Sequence, residues 1–330
     1  MLLVLVSLDT TEKKLMPIKT LTEIQKQKIS EINYDFNSAE KETILKCDLC
    51  NNEMFTVIAQ HDRYEHKTSA LLCECGNCFL SPRLTEHSAE IFYKGHYRAL
   101  ISAWWGRNID ENGIQADQKI YISRLLDQLN LLKIDKTKIK KILDVGGSTG
   151  IMLSAVEQWV GRDCVLVNID PAEKETNISL SQGIETRKEI IENTDLKTKF
   201  DFIMMCWAVD HLRSIKKSLK KIRSLMTNES YFWIDFADFE KLIKKQNSVE
   251  GVIKIDHNYY LTETTMEEYL SSTGFTVIRK IIAMDKWHIG YLCKKAKKKK
   301  LNFKKLNEEK KLLLKQIRNL NESFENENFK

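Results

Sequence analysis

A chain of 330 residues, 42% hydrophobic and 30% charged, has enough apolar content to bury one large core and a smaller appendage, which excludes a wholly disordered polymer. The net charge of +6 is confined to the end: residues from Lys294 onward carry +8 and those before them −2, so the body is a poor electrostatic match for a phosphate polymer. The apolar stretch Met1 to Val6 is too short to span a bilayer and lacks the basic start and cleavage site of a signal peptide, so the expectation is a cytoplasmic protein, for which Met16 serves equally well as a start.

Residues 1–45 are set apart as a lead-in, polar and weakly helical over 17–46, with no chemistry assigned. Five of the eight cysteines then fall between Cys47 and Cys78, a clustering that in the absence of a secretory signal points to metal rather than disulfides. Cys47-Asp48-Leu49-Cys50 and Cys75-Gly76-Asn77-Cys78 are two short knuckles whose four thiolates would enclose a zinc ion tetrahedrally, and Cys73 is a fifth candidate. An all-thiolate site has no open position, so the expected Zn2+ is structural. Cys164, Cys206 and Cys293 lie scattered in apolar runs and read as small core residues. The zinc module and its linker are assigned residues 46–115, a stretch that ends in the aromatics Phe92, Tyr93, Tyr97, Trp104 and Trp105.

The core is assigned residues 116–297. It opens with a helix in which Ile120, Leu125, Leu126, Leu129 and Leu132 recur at near-helical spacing. Short apolar runs then alternate with helical stretches, the pattern of a parallel sheet covered by helices: Ile142 to Val145, Val165 to Ile169, Phe200 to Cys206 and Tyr231 to Phe236. A helix with Leu212, Ile215, Leu219, Ile222 and Met226 on one face carries Lys216, Lys217, Lys220, Lys221 and Arg223 on the other, a solvated surface. The last two runs, Gly274 to Ile278 and Trp287 to Leu292, are too close for a crossover helix and are expected to be antiparallel neighbours. In the tail, residues 298–330, Leu306, Leu313, Ile317, Leu320 and Phe324 lie at heptad-like spacing on a basic helix. Its two readings are a helix laid against its own domain and a homo-oligomer or partner contact.

The run Ile142 to Val145 enters Gly146-Gly147-Ser148-Thr149-Gly150 and then a helical pattern, and Asp170 ends the next run. Glycines let the backbone bend sharply and a ligand approach, and an acid about twenty residues beyond such a turn can accept hydrogen bonds from the ribose hydroxyls of an adenosine. These residues resemble the first motif of class I S-adenosylmethionine-dependent methyltransferases, with Asp144 opening it, Ser148 standing where the middle glycine is usual, and Asp170 in the place of the ribose-binding acid. Asp210-His211-Leu212 resembles the segment after the family's fourth strand, which more often reads Glu-His. The resemblance spans about residues 141–295. It implies a doubly wound, Rossmann-like seven-stranded α/β sheet with an antiparallel last strand, flanked by the zinc module and the helical tail. It also implies S-adenosylmethionine as cofactor, held by Asp144, Gly146, Gly147, Ser148, Gly150 and Asp170, with Cys206 and Trp207 near the methyl group.

The segment from Cys47 through Asp62-Arg63-Tyr64, Phe79-Leu80-Ser81-Pro82-Arg83 and Tyr97-Arg98 resembles a zinc-binding amino-terminal domain found on methyltransferases of sugar-nucleotide and surface-polysaccharide pathways, including sugar C-methyltransferases. There the second knuckle is usually C-x-x-C-G, whereas here Leu72 stands in place of its first cysteine. His211 and His257 are the imidazoles placed to act as bases, since both are expected at the carboxyl edge of the sheet where open α/β sheets bind ligands. Tyr93 and Tyr97 are candidates for the substrate cleft. The expected activity is methylation of a small hydroxylated metabolite, a nucleotide-linked sugar first, without nucleic acid or membrane as partner. The rival readings are an RNA methyltransferase with a zinc module and a non-catalytic interaction protein with a degenerate core.

Overall fold

The computed structural model describes residues 21–327, apart from the side chains of residues 111, 112, 115 and 321–327. Met16 and the side chain of Phe324 therefore lie outside the described residues. The described residues open with α1 (Glu23–Ser30) and pass through β1 (Lys41–Glu42), β2 (Phe55–His61), β3 (Lys67–Cys73), β4 (Cys78–Leu80) and β5 (Arg83–Leu84). The helices α2 (Glu86–Gly95), α3 (Tyr97–Trp105) and α4 (Glu111–Asn130) follow. Strands and helices then alternate as β6 (Lys141–Val145), α5 (Ile151–Val160), β7 (Val165–Ile169), α6 (Glu173–Ser181), β8 (Glu185–Arg187), β9 (Phe200–Met205), α7 (Ile215–Ser224) and β10 (Met226–Ala237). The closing elements are α8 (Phe239–Gln246), β11 (Tyr259–Tyr260), α9 (Glu263–Thr273), β12 (Phe275–Ile282), β13 (His288–Lys295) and α10 (Phe303–Glu327). Among the described residues no helix is long and apolar enough to cross a membrane.

The chain divides into two compact units. The first comprises residues up to Ala89, Asp238–Glu268 and residues from Leu301 onward. Its sheet runs β11-β4-β3-β2, antiparallel throughout, and β1 pairs with β5. One face of the sheet presents Ala70, Leu72, Cys78 and Leu80, and against it pack Phe239 and Ile243 of α8 and Leu313 and Ile317 of α10. Burial of such side chains contributes about 1.5–3 kcal/mol each, so the apolar stripe of the tail belongs to this unit's own core. Ion pairs of Lys305 with Glu267 and Lys310 with Glu74, both at 2.6 Å, fix the same helix from its polar side. Among its described residues the lead-in is helical over Glu23–Ser30; beyond it Phe36 is buried and packs on His66 at 3.9 Å between ring centroids, which anchors the segment to the unit.

The second unit, Glu90–Ala237 with Tyr269–Lys300, carries a seven-stranded sheet in the order β12-β13-β10-β9-β6-β7-β8. The pairings from β10 through β8 are parallel, and β13 is antiparallel to both neighbours, as its short connection to β12 requires. From β6 the chain moves outward through β7 and β8 and then returns to β9 on the other side, so the topological switch point lies between β6 and β9. Leu125 and Leu129 of α4 and Met152, Leu153 and Val156 of α5 cover one face of this sheet. Ile120, read as part of the apolar face of α4, is instead 57% exposed. The α7 helix, capped by the Ser214 hydroxyl, buries Ile215, Leu219 and Ile222 as expected, whereas Leu212 ends the preceding 3-10 turn and Met226 opens β10, both outside the helix. The expected run Tyr231 to Phe236 is longer, Met226–Ala237, with an irregular register between Met226 and Tyr231.

Candidate active site

In the second unit the buried strand β6 delivers Asp144 and then the turn at its carboxyl end. Gly146 and Gly150 have φ of 80° and 77°, and Ser148 keeps the left-handed conformation at 49° although it carries a side chain. Two neighbours hold it there: its N–H donates to Oδ2 of Asp170 at 2.9 Å, and its carbonyl accepts from Nδ2 of Asn168 at 2.9 Å. The glycine before it has no room for a side chain, because a Cβ on Gly147 would lie 2.5 Å from Oδ1 of Asn168 and 2.6 Å from Oδ2 of Asp144. The turn thus packs against two strand ends at once, with Gly146 set so closely against Ala208 that a Cβ there would fall 2.5 Å from the alanine Cβ.

Three buried carboxylates converge on this edge. The Asp144 oxygens have no well-formed hydrogen bond among the described residues, the nearest donor being the N–H of the adjoining Val145, and burial, reinforced by Asp170 and Asp235, raises its pKa well above the usual carboxylate range. Burial pushes Asp170 up to about 6 despite the N–H groups of Ala172 and Ser148 that it accepts, and pushes Asp235 up to about 7. A buried acid without a well-formed hydrogen bond is costly unless a cation compensates it. The arrangement therefore suits a ligand that brings positive charge.

The strand β9 ends beside this turn and places Cys206, Trp207 and Ala208. The Cys206 side chain is buried in the core, which leaves its backbone for the edge. Trp207 stands in the left-handed region at φ 57° and its N–H donates to Oδ1 of Asp235 at 2.9 Å. Its ring lies 4.3 Å from that of Tyr121 and 3.9 Å from that of His288, and these residues with Arg124, Gln128 and Asp235 line a pocket of about 10 Å³, room for one water. His211 follows on a short 3-10 turn, where its Nδ1 is 2.7 Å from the Tyr93 hydroxyl. Tyr97 packs against Tyr93 at 5.1 Å, and Arg98 pairs with Glu175.

His257 belongs to the first unit, where its Nε2 lies 3.1 Å from Nζ of Lys254 and 3.7 Å from Asp256. In the same unit the thiols of Cys47, Cys50, Cys73 and Cys75 gather within 4.8 Å of one another, with Cys47 and Cys75 at 3.7 Å and Cys50 and Cys73 at 3.5 Å. Four sulfurs at about 2.3 Å from a tetrahedral ion stand about 3.8 Å apart, so this donor set fits zinc. The fourth thiol is Cys73 rather than Cys78: register sets Cys78 opposite Leu72, and its side chain enters the apolar core. The tips of the two knuckles take left-handed conformations at Asn51 and Gly76, and Asn77 reaches back to the Cys47 sulfur at 3.5 Å.

A family profile described as "Methyltransferase domain" matches residues 90–280, more than half of the chain and starting where the second unit starts. The chain belongs to this methyltransferase family. As an enzyme it is an S-adenosylmethionine-dependent methyltransferase, and the strand order and the turn described above are those of the class I fold. No curated protein matches its sequence. Among solved structures, the methyltransferase resembles an S-adenosylmethionine-dependent methyltransferase from Clostridium acetobutylicum at 15% identity, covering 54% of this chain and 99% of that one with a TM-score of 0.41. A SAM-dependent methyltransferase of Leishmania major matches at 14% identity over 63% and 82% of the two chains, TM-score 0.47, and one of Aquifex aeolicus at 21% over 52% and 96%, TM-score 0.39. Reading the sequence did not single out Asp235, Tyr121 or His288. The signal for Asp235 was present, an acid one residue before the end of an apolar strand run.

Proposed function

We propose that this methyltransferase moves a methyl group from S-adenosylmethionine to a nucleophilic oxygen or carbon of a small hydroxylated metabolite, a nucleotide-linked sugar, in the cytoplasm. In this reading Asp144, Gly146, Gly147, Ser148, Gly150 and Asp170 hold the donor together with the backbone of Cys206 and Trp207. When bound, the cofactor supplies an electrophilic methyl on a sulfonium sulfur. Asp144 offers its buried carboxylate to the donor's positive charge, and Asp170 exchanges its contact with the turn for the ribose hydroxyls.

The observation that carries the reading is the 2.7 Å hydrogen bond between Tyr93 and Nδ1 of His211, on the segment that follows the donor loop. With Nδ1 donating to the tyrosine oxygen, Nε2 is the nitrogen that takes the proton from the acceptor as its lone pair attacks the methyl. Tyr97, packed against Tyr93 at 5.1 Å, lines the same cleft. Cys47, Cys50, Cys73 and Cys75 hold a structural zinc ion, for which four clustered thiols in a reducing compartment are suited. The resemblance of the zinc module supports a nucleotide-linked sugar as acceptor. Against RNA, the excess charge sits in the tail, and there Lys305 and Lys310 are engaged by Glu267 and Glu74.

Incubating the purified protein with methyl-labelled S-adenosylmethionine and a panel of nucleotide-linked sugars tests this, with transfer RNA as the rival acceptor. Label on a sugar nucleotide, lost in His211→Asn, is the expected result. Label on RNA alone, with an affinity that falls steeply with salt, overturns it in favour of the nucleic-acid reading.

A further inference from the structure

Trp207 is a bulky aromatic residue in the left-handed backbone region, a strained conformation for any residue with a Cβ that persists only when its surroundings enforce it. Its N–H is bound by the buried Asp235, and its ring is held between Tyr121 of α4 and His288 at the start of β13. His288 is itself fixed. Asp285 in the β12–β13 connection holds its Nδ1 at 2.6 Å and accepts the N–H groups of Trp287 and His288 at 3.2 and 3.0 Å. Arg124 anchors Asp285 at 3.2 Å, and the Trp287 ring also packs on the imidazole, at 3.9 Å between centroids.

The hairpin thus reaches across the edge of the sheet, past β10, to the loop that ends β9. Ala208, the next residue, is in van der Waals contact with Gly146 of the glycine turn, so a shift of Trp207 is passed directly to that turn. We propose that Asp285 and His288 brace Trp207 in its left-handed conformation and so act as positioning residues for methyl-donor binding. The inference rests on the assignment of Cys206–Ala208 to the donor site.

The test is calorimetric titration of the full chain with S-adenosylmethionine for wild type, His288→Ala, Trp207→Gly and the double variant. Glycine adopts the left-handed region without cost, so a brace on that conformation has nothing to do in its presence. His288→Ala is expected to raise Kd about tenfold alone and less than twofold in the Trp207→Gly background. A loss of equal size in both backgrounds, or no loss in either while wild type binds, overturns the brace. Absence of binding by folded wild type overturns the donor-site assignment and the brace with it. Asp285→Asn supplies the same comparison, with a smaller loss in the same direction, should His288→Ala fail to fold.

Discussion

The N–H of Ser148 donates to Oδ2 of Asp170 at 2.9 Å, joining the residue that replaces the usual middle glycine to the acid expected to hold ribose. The bond explains how a serine is tolerated at φ 49°. It also means that Asp170 has a task in the absence of cofactor.

Ser148→Gly should stabilise the protein. It relieves about 1–2 kcal/mol of left-handed strain and adds about 0.5–1 kcal/mol of unfolded-chain entropy, leaving a net gain of about 0 to 1.5 kcal/mol, centred near 0.75. Thermal unfolding measures this as a small rise in Tm. A fall in Tm would show that the serine side chain contributes something the backbone account omits.

The buried acids make stability without cofactor depend on pH. Asp170 and Asp235 titrate at about 6 and about 7 in the folded state, above the ordinary carboxylate value, so the folded state binds more protons than the unfolded between about pH 4 and 7. Their contribution is fully present below about pH 4 and is lost as pH rises through 6 and 7. The urea midpoint of the cofactor-free protein should accordingly show a downward component over that window, and Asp235→Asn should flatten it and raise the midpoint at pH 8. Cofactor affinity should move the opposite way, strengthening with pH, because a cation favours the ionised acids. An affinity that weakens from pH 5 to 8 contradicts the placement of charge at this site.

Zinc content distinguishes the fourth ligand. Cys73→Ser should lower bound zinc and destabilise the first unit, whereas Cys78→Ser should keep zinc at one equivalent and cost about 1–3 kcal/mol through a polar group in the core. Measurement of metal by mass spectrometry on both variants decides it; loss of zinc in Cys78→Ser alone would reverse the assignment.

The glycine turn was legible in sequence because it is local: strand, turn, helix and acid lie within residues 141–170, and each step follows from backbone chemistry. Asp235 and His288 were not, since their meaning depends on β10 lying beside β9 and on β13 returning antiparallel, which brings Ala237 opposite His288. The thiol cluster was legible in part: Cys47, Cys50 and Cys75 gather as the two knuckles suggest, with Cys73 in place of Cys78. Spacing favoured Cys75 and Cys78, but strand alternation turns Leu72 and Cys78 to one face and leaves Cys73 for the other. Nor does the sequence mark that Asp238–Glu268 and the tail pack with the amino-terminal sheet, because their partners are hundreds of residues away.

For the acceptor base, His211→Asn should lower kcat about 100-fold and Tyr93→Phe about tenfold, both with donor Kd within twofold of wild type. Steady-state kinetics with the acceptor that the sugar-nucleotide panel identifies gives both numbers. A change in donor affinity without a change in kcat would move these residues from base to cofactor contact.

The most direct test of the account is calorimetric titration of S-adenosylmethionine into wild type and Asp170→Ala, each checked for folding and zinc. The account predicts binding in the micromolar range that Asp170→Ala weakens by about 1 kcal/mol or more. A folded, zinc-loaded wild type that gives no binding, or an Asp170→Ala variant that binds as tightly as wild type, would contradict it.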